Sequence, residues 1–122
     1  MTNSQTETTD GLLVAELQES GIEVKSVYDL VNTSQPYSSA YPILVRHLKL
    51  SHDRATREGI IRALTVKDAG PIAEAVLFAE FQVERDPILK WVLANALQTV
   101  MPYKKRKKFP EISKALKYKN AP

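Results

Sequence analysis

The chain has 122 residues, of which 43% are hydrophobic and 25% are charged, a composition typical of one soluble globular domain. It contains no cysteine, which excludes disulfide bonds, thiolate metal sites and a cysteine nucleophile. The net charge of +3 is unevenly distributed. Residues 1–102 hold nine Lys/Arg and 13 Asp/Glu, a balance of −4, whereas residues 103–122 hold eight Lys/Arg and one Glu, a balance of +7. The overall charge alone therefore does not indicate nucleic-acid binding.

The N-terminal residues 1–10, MTNSQTETTD, have no apolar residue after Met1 and lack the basic start and apolar stretch of a signal peptide. We expect them to form a disordered lead-in. No apolar run in the chain approaches the roughly 18 residues that span a bilayer. The expected location is therefore the cytoplasm, without membrane contact.

The first third of the chain predicts helices separated by a loop. Residues 10–20 have apolar side chains at helical spacing, with Asp10 as a candidate N-cap and Gly21 as a stop signal. Residues 26–31 predict a short helix, and residues 32–39, NTSQPYSS, predict a loop. Pro42 suits the first turn of the next helix, where its missing N–H is not needed.

Two further helices are predicted in the middle of the chain. Asp53 is the candidate N-cap of a helix that reaches about Val66. The sequence Ala-Gly-Pro at 69–71 ends that helix and begins another. The residues of this next helix that we predict to face inward are Ile72, Ala75, Val76, Phe78 and Ala79.

Asp86 followed by Pro87 is the clearest helix start in the chain, because it combines an acidic N-cap with proline in the first turn. The predicted helix ends at Met101 and Pro102, and residues 110–117 predict a final short helix. Strand signals are weak throughout. The fold class predicted is all-α, with six or seven helices.

The helices that begin at Asp53 and Asp86 repeat one pattern at an interval of 33 residues: DRATREGIIRAL at 53–64 and DPILKWVLANAL at 86–97. Arg57 aligns with Lys90, and Ile60 with Leu93. This interval is the size of one helical hairpin, which buries its apolar face by stacking on a copy of itself. The repeat predicts a short α-solenoid of antiparallel helical hairpins, an α-α superhelix.

No residue pattern points to catalysis. His47 and His52 lack the i, i+4 spacing and the carboxylate of a helical metal site, so we expect no metal and regard His52 as an exposed turn residue. There is neither a nucleophile elbow nor a glycine-rich phosphate loop. Glu16 and Glu19 are expected to solvate a helix face rather than act as acid and base. The expectation is a protein that is not an enzyme and has no cofactor.

A stripe of polar residues on the two repeated helices is the candidate surface for a protein partner. Second helices of stacked hairpins line up along one surface, where such scaffolds usually hold their ligands. An ordinary solvated helix face is the alternative interpretation. The residues of this candidate surface are Arg57, Arg62, Lys90, Trp91 and Asn95.

Trp91, the only tryptophan, has two interpretations. A half-exposed tryptophan is a good interface anchor because it buries a large area at little entropic cost. Alternatively, its ring packs on the segment 103–109 that follows.

That segment contains five consecutive cations between aromatic residues, which can contact phosphates of a nucleic acid, contact an acidic partner, or keep the chain soluble. These cations are Lys104, Lys105, Arg106, Lys107 and Lys108.

The segments LLVAELQESGIEVKSVYDLVN, YPILVRHLK, REGIIRALTVKDA and KWVLANALQTV resemble the small bacterial HEAT-repeat proteins, which are related to the HEAT-like repeats of phycobilisome lyases. The resemblance covers about residues 11–100. It implies a HEAT-like helical-repeat domain at 11–102 that contacts other proteins. The basic C-terminal segment at 103–122, with a predicted short capping helix, departs from the repeat pattern. Some immunity proteins paired with bacterial toxins, and one class of DNA glycosylases, also use HEAT-like repeats.

Two functions follow from these patterns. The first is a protein–protein interaction module without catalysis, such as an adaptor or an immunity protein that blocks a toxin enzyme. The second is a nucleic-acid-binding repeat protein that uses its basic C-terminal segment.

The helix at 12–17 is expected to cover one end of the stack and residues 110–116 the other. A poor second cap would favour a homodimer through that end.

Overall fold

The computed structural model describes residues 10–122 and is all-helical over that range, which confirms the predicted all-α class. Short 3-10 turns at Ser38–Ala40 and Lys67–Ala69 lead into two of the helices, and no strand occurs in the described part of the chain. The predicted lead-in lies, apart from Asp10, outside the described residues. The eight α-helices of residues 10–122 are α1 (Gly11–Glu19), α2 (Tyr28–Val31), α3 (Tyr41–Leu48), α4 (Arg54–Ala63), α5 (Gly70–Val83), α6 (Pro87–Val100), α7 (Tyr103–Arg106) and α8 (Pro110–Ala115).

Aspartate side chains cap the starts of α4 and α6, as predicted. The Asp53 carboxylate accepts a hydrogen bond from the backbone N–H of Thr56 at 3.1 Å. The Asp86 carboxylate accepts hydrogen bonds from the N–H groups of Ile88 and Leu89 at 2.9 and 3.3 Å. These contacts satisfy donors that have no partner inside the helix. Asp10 differs, because its side chain makes no cap hydrogen bond to α1.

The helices contact one another in two series. In one series α1 packs against α3 and α3 against α5, whereas in the other α2 packs against α4, α4 against α6 and α6 against α8. The consecutive helices α3 and α4 pack together, as do α5 and α6. Side chains from both series, such as Leu44 and Leu77 in the first and Ile60 and Leu93 in the second, form one continuous buried core. The two repeated helices, α4 and α6, are therefore neighbours.

The orientation predicted for α5 is wrong. Ile72, Ala75 and Ala79 are exposed to solvent, and Val76 and Phe78 are only half-buried. Because α5 carries apolar residues on all its sides, the apolar pattern does not single out the side that faces the core. The residues that do face the core are Gly70, Ala73, Leu77 and Phe81.

The C-terminal segment folds back onto the body. Ile112 of α8 is fully buried, and the ring of Phe109 lies 4.6 Å from that of Phe78 on α5, centroid to centroid. The guanidinium of Arg106 donates to the carbonyls of Gln98 at 3.0 Å and Met101 at 2.7 Å, near the end of α6. Residues 103–116 are therefore part of the packed fold, although they hold six Lys/Arg residues and only one Glu.

Gly59 permits the close packing of α2 on α4, and this can be tested by substitution. A Cβ atom at position 59 would lie 2.5 Å from Cγ1 of the buried Val27 and 3.0 Å from the Tyr28 ring. Alanine normally stabilises a helix interior relative to glycine by about 1 kcal/mol, but overpacking costs about 1–3 kcal/mol. We expect Gly59→Ala to lower the free energy of unfolding by about 1 kcal/mol, measured by urea denaturation followed by circular dichroism.

Gly11 provides the matched control, because a Cβ atom there would meet nothing within 4 Å. Gly11→Ala should leave stability unchanged or raise it by up to about 1 kcal/mol. Equal effects of the two substitutions would contradict the close packing assigned to Gly59.

Candidate functional site

Arg57, the first residue of the predicted partner surface, joins three helices of the protein itself. Its guanidinium donates to the carbonyl of Leu48, the last residue of α3, at 3.2 Å. It also pairs with the carboxylates of Glu80 at 2.8 Å and Glu84 at 3.0 Å, at the end of α5. Burial would lower the pKa of Arg57, but the two glutamates outweigh this effect and raise it. Only 18% of the side chain is exposed.

Lys90 makes the equivalent contact one repeat later. Its ammonium donates to the carbonyl of Phe81 at 2.7 Å and lies 4.3 Å from the centre of the Phe81 ring. Phe81 is 33 residues after Leu48, as Lys90 is 33 residues after Arg57. Each cation thus reaches back nine residues and binds a carbonyl near the end of the preceding helix. The two repeated positions share an internal structural contact.

A second ion pair joins the starts of the two repeated helices. The guanidinium of Arg54 lies 2.7 Å from the carboxylate of Asp86, the N-cap of α6. The Arg54 hydrogen bond, together with the N–H groups of Leu89 and Ile88, holds the pKa of Asp86 below its ordinary value despite partial burial. We call the α3–α4 pair the second hairpin and the α5–α6 pair the third. Arg54, Arg57 and their acidic partners therefore form a polar seam between these two hairpins.

Trp91 packs inside the molecule near the C-terminus. Its indole N–H donates to the carbonyl of Leu116 at 3.2 Å, and its ring is half-buried against the core. This contact involves the end of α8. Trp91 therefore joins α6 to the residues that follow α8.

Arg62 and Asn95, which occupy equivalent positions, are partly exposed, as are the other three predicted residues. The guanidinium of Arg62 pairs with the Glu58 carboxylate one turn earlier at 2.8 Å. Arg62 also lines a depression of about 340 Å³ beside Tyr41 and Asp68. The Tyr41 hydroxyl donates to Asp68 at 2.7 Å, and burial followed by this hydrogen bond raises the pKa of Tyr41. The structure thus brings Arg62 and Asn95 to neighbouring helices of one series.

Two of the five cations at 104–108 have partners within the described chain. Arg106 caps the end of α6, and the Lys105 ammonium contacts the Glu74 carboxylate on α5. Lys104, Lys107 and Lys108 make no side-chain hydrogen bond or ion pair within residues 10–122. These three and Lys105 line one shallow depression of about 490 Å³. Because three of these four lysines have no acidic partner within residues 10–122, the depression carries positive charge that is not balanced.

His47 lies in a polar cluster that the sequence analysis did not predict. Its side chain is fully buried, with Nε2 2.9 Å from the Glu16 carboxylate and Nδ1 3.1 Å from Nε2 of His52. Glu16 also contacts Arg46, and the hydrogen bonds from Arg46 and then His47 lower the pKa of Glu16. The interpretation of Glu16 as a purely solvating residue is therefore wrong, and His52 is half-buried rather than exposed. The five-residue spacing of His47 and His52 does not indicate this cluster, because the carboxylate comes from Glu16 on α1, which is distant in the sequence.

Within residues 10–122, no group of three or more His, Asp or Glu side chains is arranged to hold a metal ion. In the same part of the chain, none of the helices has both the length and the apolar character that crossing a bilayer requires.

Comparison with protein-family models, with curated proteins and with solved structures finds no match for this chain. The resemblance to HEAT-repeat proteins therefore stays a prediction from the residues themselves.

The contacts of Arg57 predict a large effect of substitution. Arg57→Met leaves Glu80 and Glu84 without their cation and Leu48 without its donor. Removing one partner of a largely buried ion pair costs several kcal/mol, and the partial exposure here reduces this to about 2 kcal/mol. We expect a loss of this size in the free energy of unfolding, measured by urea denaturation.

The exposed Arg85 lies next to this ion pair in the chain and provides the control. Arg85→Met should change stability by less than about 0.5 kcal/mol. Arg57→Lys should recover only part of the loss, because one ammonium cannot reproduce the fork of the guanidinium. A stable Arg57→Met protein would show that the seam does not hold the hairpins together.

Proposed function

We propose that this chain is a non-catalytic protein-binding module built as a short solenoid of HEAT-like hairpins. The observation that carries the proposal is the internal repeat of the cation–carbonyl contact, Arg57 to Leu48 and Lys90 to Phe81. Two hairpins with the same internal contact, whose second helices pack side by side, are what a helical-repeat scaffold requires. Such scaffolds act through an extended surface formed by equivalent positions.

The surface of the α4–α6 pair supports the same proposal. Arg62 on α4 and Asn95 on α6 occupy equivalent positions and remain partly exposed. Glu58, paired with Arg62, is equivalent to Trp91, so the two helices differ at this repeated position. The other three predicted residues donate to backbone carbonyls and so hold the two helices in place. These contacts are Arg57 to Leu48, Lys90 to Phe81 and Trp91 to Leu116. In this proposal Arg62 and Asn95 contact the partner directly.

An immunity or adaptor protein in the cytoplasm is the specific form of this function that we favour. Such a protein blocks a toxin enzyme by covering its active site and needs no reactive group of its own. The −4 balance of residues 1–102 suits a basic partner such as a nuclease toxin.

The test is affinity capture from the native organism with the full chain and with Arg62→Glu. We expect one protein to be retained by the wild type and to bind Arg62→Glu at least about 10-fold more weakly, since charge reversal at a contact residue costs 1.4 kcal/mol or more. If the partner is an enzyme, one equivalent of the chain should inhibit it.

Lys25→Glu reverses an exposed charge before α2 and should retain the partner. Thermal melts must show both variants folded. Loss of the partner from both variants, or from neither, would exclude the α4–α6 surface, and the absence of any specific partner would exclude a protein-binding function.

The four lysines around one depression favour a second function, nucleic-acid binding. Lys104, Lys107 and Lys108 have no acidic partner within the described residues, and phosphate groups would supply one. The residue arrangement gives no base-specific contact, so this binding would be insensitive to sequence.

A triple substitution, Lys104, Lys107 and Lys108 to Gln, tests this second function without removing α8. Releasing three phosphate contacts should lower the salt slope, d log K/d log [NaCl], by about 2–3 units in magnitude on a single-stranded oligonucleotide or duplex. Fluorescence anisotropy at several NaCl concentrations measures the slope. The same change at Lys25 and Lys67, exposed residues outside the segment, is the control, and an unchanged slope in the triple variant would exclude the lysine site.

A further inference from the structure

The outer side of α5 is an apolar surface without a partner in the described structure. It lies opposite the buried side of the helix, and over four turns it presents no charged residue. Ile72 is 44% exposed and Val83 is 69% exposed. Between these two lie the small exposed side chains Ala75 and Ala79, one turn apart. The surface from Ile72 to Val83 extends for about 16 Å along the helix.

The lysine depression borders this surface. Lys105 contacts Glu74, the residue immediately before Ala75 in α5. Phe109 packs on Phe78 of the same helix and so holds the end of the lysine segment against α5. These contacts hold the lysine segment beside α5, on the side of Glu74 and Phe78, and we call the apolar side of α5 together with Lys104, Lys107 and Lys108 the α5 face.

We infer that the α5 face is a second contact surface, separate from the α4–α6 surface, and that it binds an acidic amphipathic helix of a partner protein; this rests on the proposed protein-binding function. Ala75 and Ala79 are small enough for a helix axis to approach to about 8–10 Å. A helix pairs its own backbone N–H and C=O groups, whereas an extended segment would leave some of them against apolar side chains. Acidic residues along one edge of the bound helix pair with Lys104, Lys107 and Lys108.

Charge distinguishes this occupant from a second copy of the chain. Two copies packed through their α5 faces would bring their lysine clusters onto the same assembly without acidic residues to balance them. Alanine side chains also contribute little to membrane insertion, which depends on protruding apolar groups such as those of Trp, Phe and Leu. An acidic helix satisfies both the apolar and the charged part of the surface.

The test uses two designed helical peptides with the same Leu stripe at i, i+4, i+7 and i+11, one with Glu and one with Lys along the adjacent edge. Each is titrated into the full chain and followed by ¹H–¹⁵N NMR. We expect the Glu peptide to shift the amides of Ile72, Ala75 and Ala79 and those of residues 104–108. Its affinity should exceed that of the Lys peptide at least 10-fold.

Variants locate the contact. Ala79→Glu should weaken binding of the Glu peptide at least 10-fold, because it places an acid in the apolar strip. The matched change Ala55→Glu, at an exposed alanine of α4, should leave the affinity within 2-fold. The triple Gln variant at Lys104, Lys107 and Lys108 should reduce the preference for the Glu peptide to less than 3-fold.

Several results would overturn the inference. These are no binding of the Glu peptide, equal affinity for both peptides, or shifts confined to α4 and α6. A dimer in light scattering that Ala79→Glu dissociates would assign the face to a second copy. The α5 face would be assigned to a membrane if the chain bound vesicles of equal phosphatidylserine and phosphatidylcholine but neither peptide. In that case Ala79→Glu should abolish the vesicle binding. A captured partner that binds Ala79→Glu but not Arg62→Glu would reject the α5 face and leave the protein-binding function standing.

Discussion

The contact between Arg57 and the ends of α3 and α5 is the constraint on which the arrangement of the hairpins depends. A largely buried guanidinium is tolerated only when its donors are paired, and here a carbonyl and two carboxylates pair with it. In the observed packing of α3 and α4 against α5, all these groups lie within reach of the guanidinium. The next repeat keeps only the carbonyl contact through Lys90, because the positions equivalent to Glu80 and Glu84 are Ser113 and Lys117. The acidic half of the seam therefore does not continue beyond the third hairpin.

Local chemistry explains why the start of the repeated helices could be predicted. Asp53 and Asp86 are read correctly because an acidic cap acts on N–H groups two or three residues away. The 33-residue interval places equivalent residues on neighbouring helices, and α4 and α6 do pack together. In the first case the capping aspartate and the N–H groups that it binds are separated by only two or three residues. In the second case the same pattern recurs after a fixed number of residues.

Contacts between distant residues could not be predicted in the same way. A cation that recurs on a helix can belong to a binding surface or can make a contact inside the molecule. The Leu48 and Phe81 carbonyls show that Arg57 and Lys90 make internal contacts. His47 and Glu16 are 31 residues apart, with no local pattern that joins them. The orientation of α5 failed for a different reason, since an apolar side that faces solvent has the same composition as one that faces the core. The side of α5 that the apolar pattern assigned to the interior is therefore an exposed apolar surface in the structure.

The C-terminal segment shows how charge and packing are combined in the same few residues. Arg106 caps α6, Ile112 is buried, and the Leu116 carbonyl accepts the Trp91 indole, so the segment completes the core. Removing it would therefore unfold part of the body as well as remove charge, and the two effects can be separated only by substituting lysines that have no internal partner. Those lysines are held in place by the packing of Phe109 on Phe78. The fold thus fixes a cationic edge beside an apolar helix face, and the ligand that we propose for this surface would bind without the cost of ordering a flexible tail.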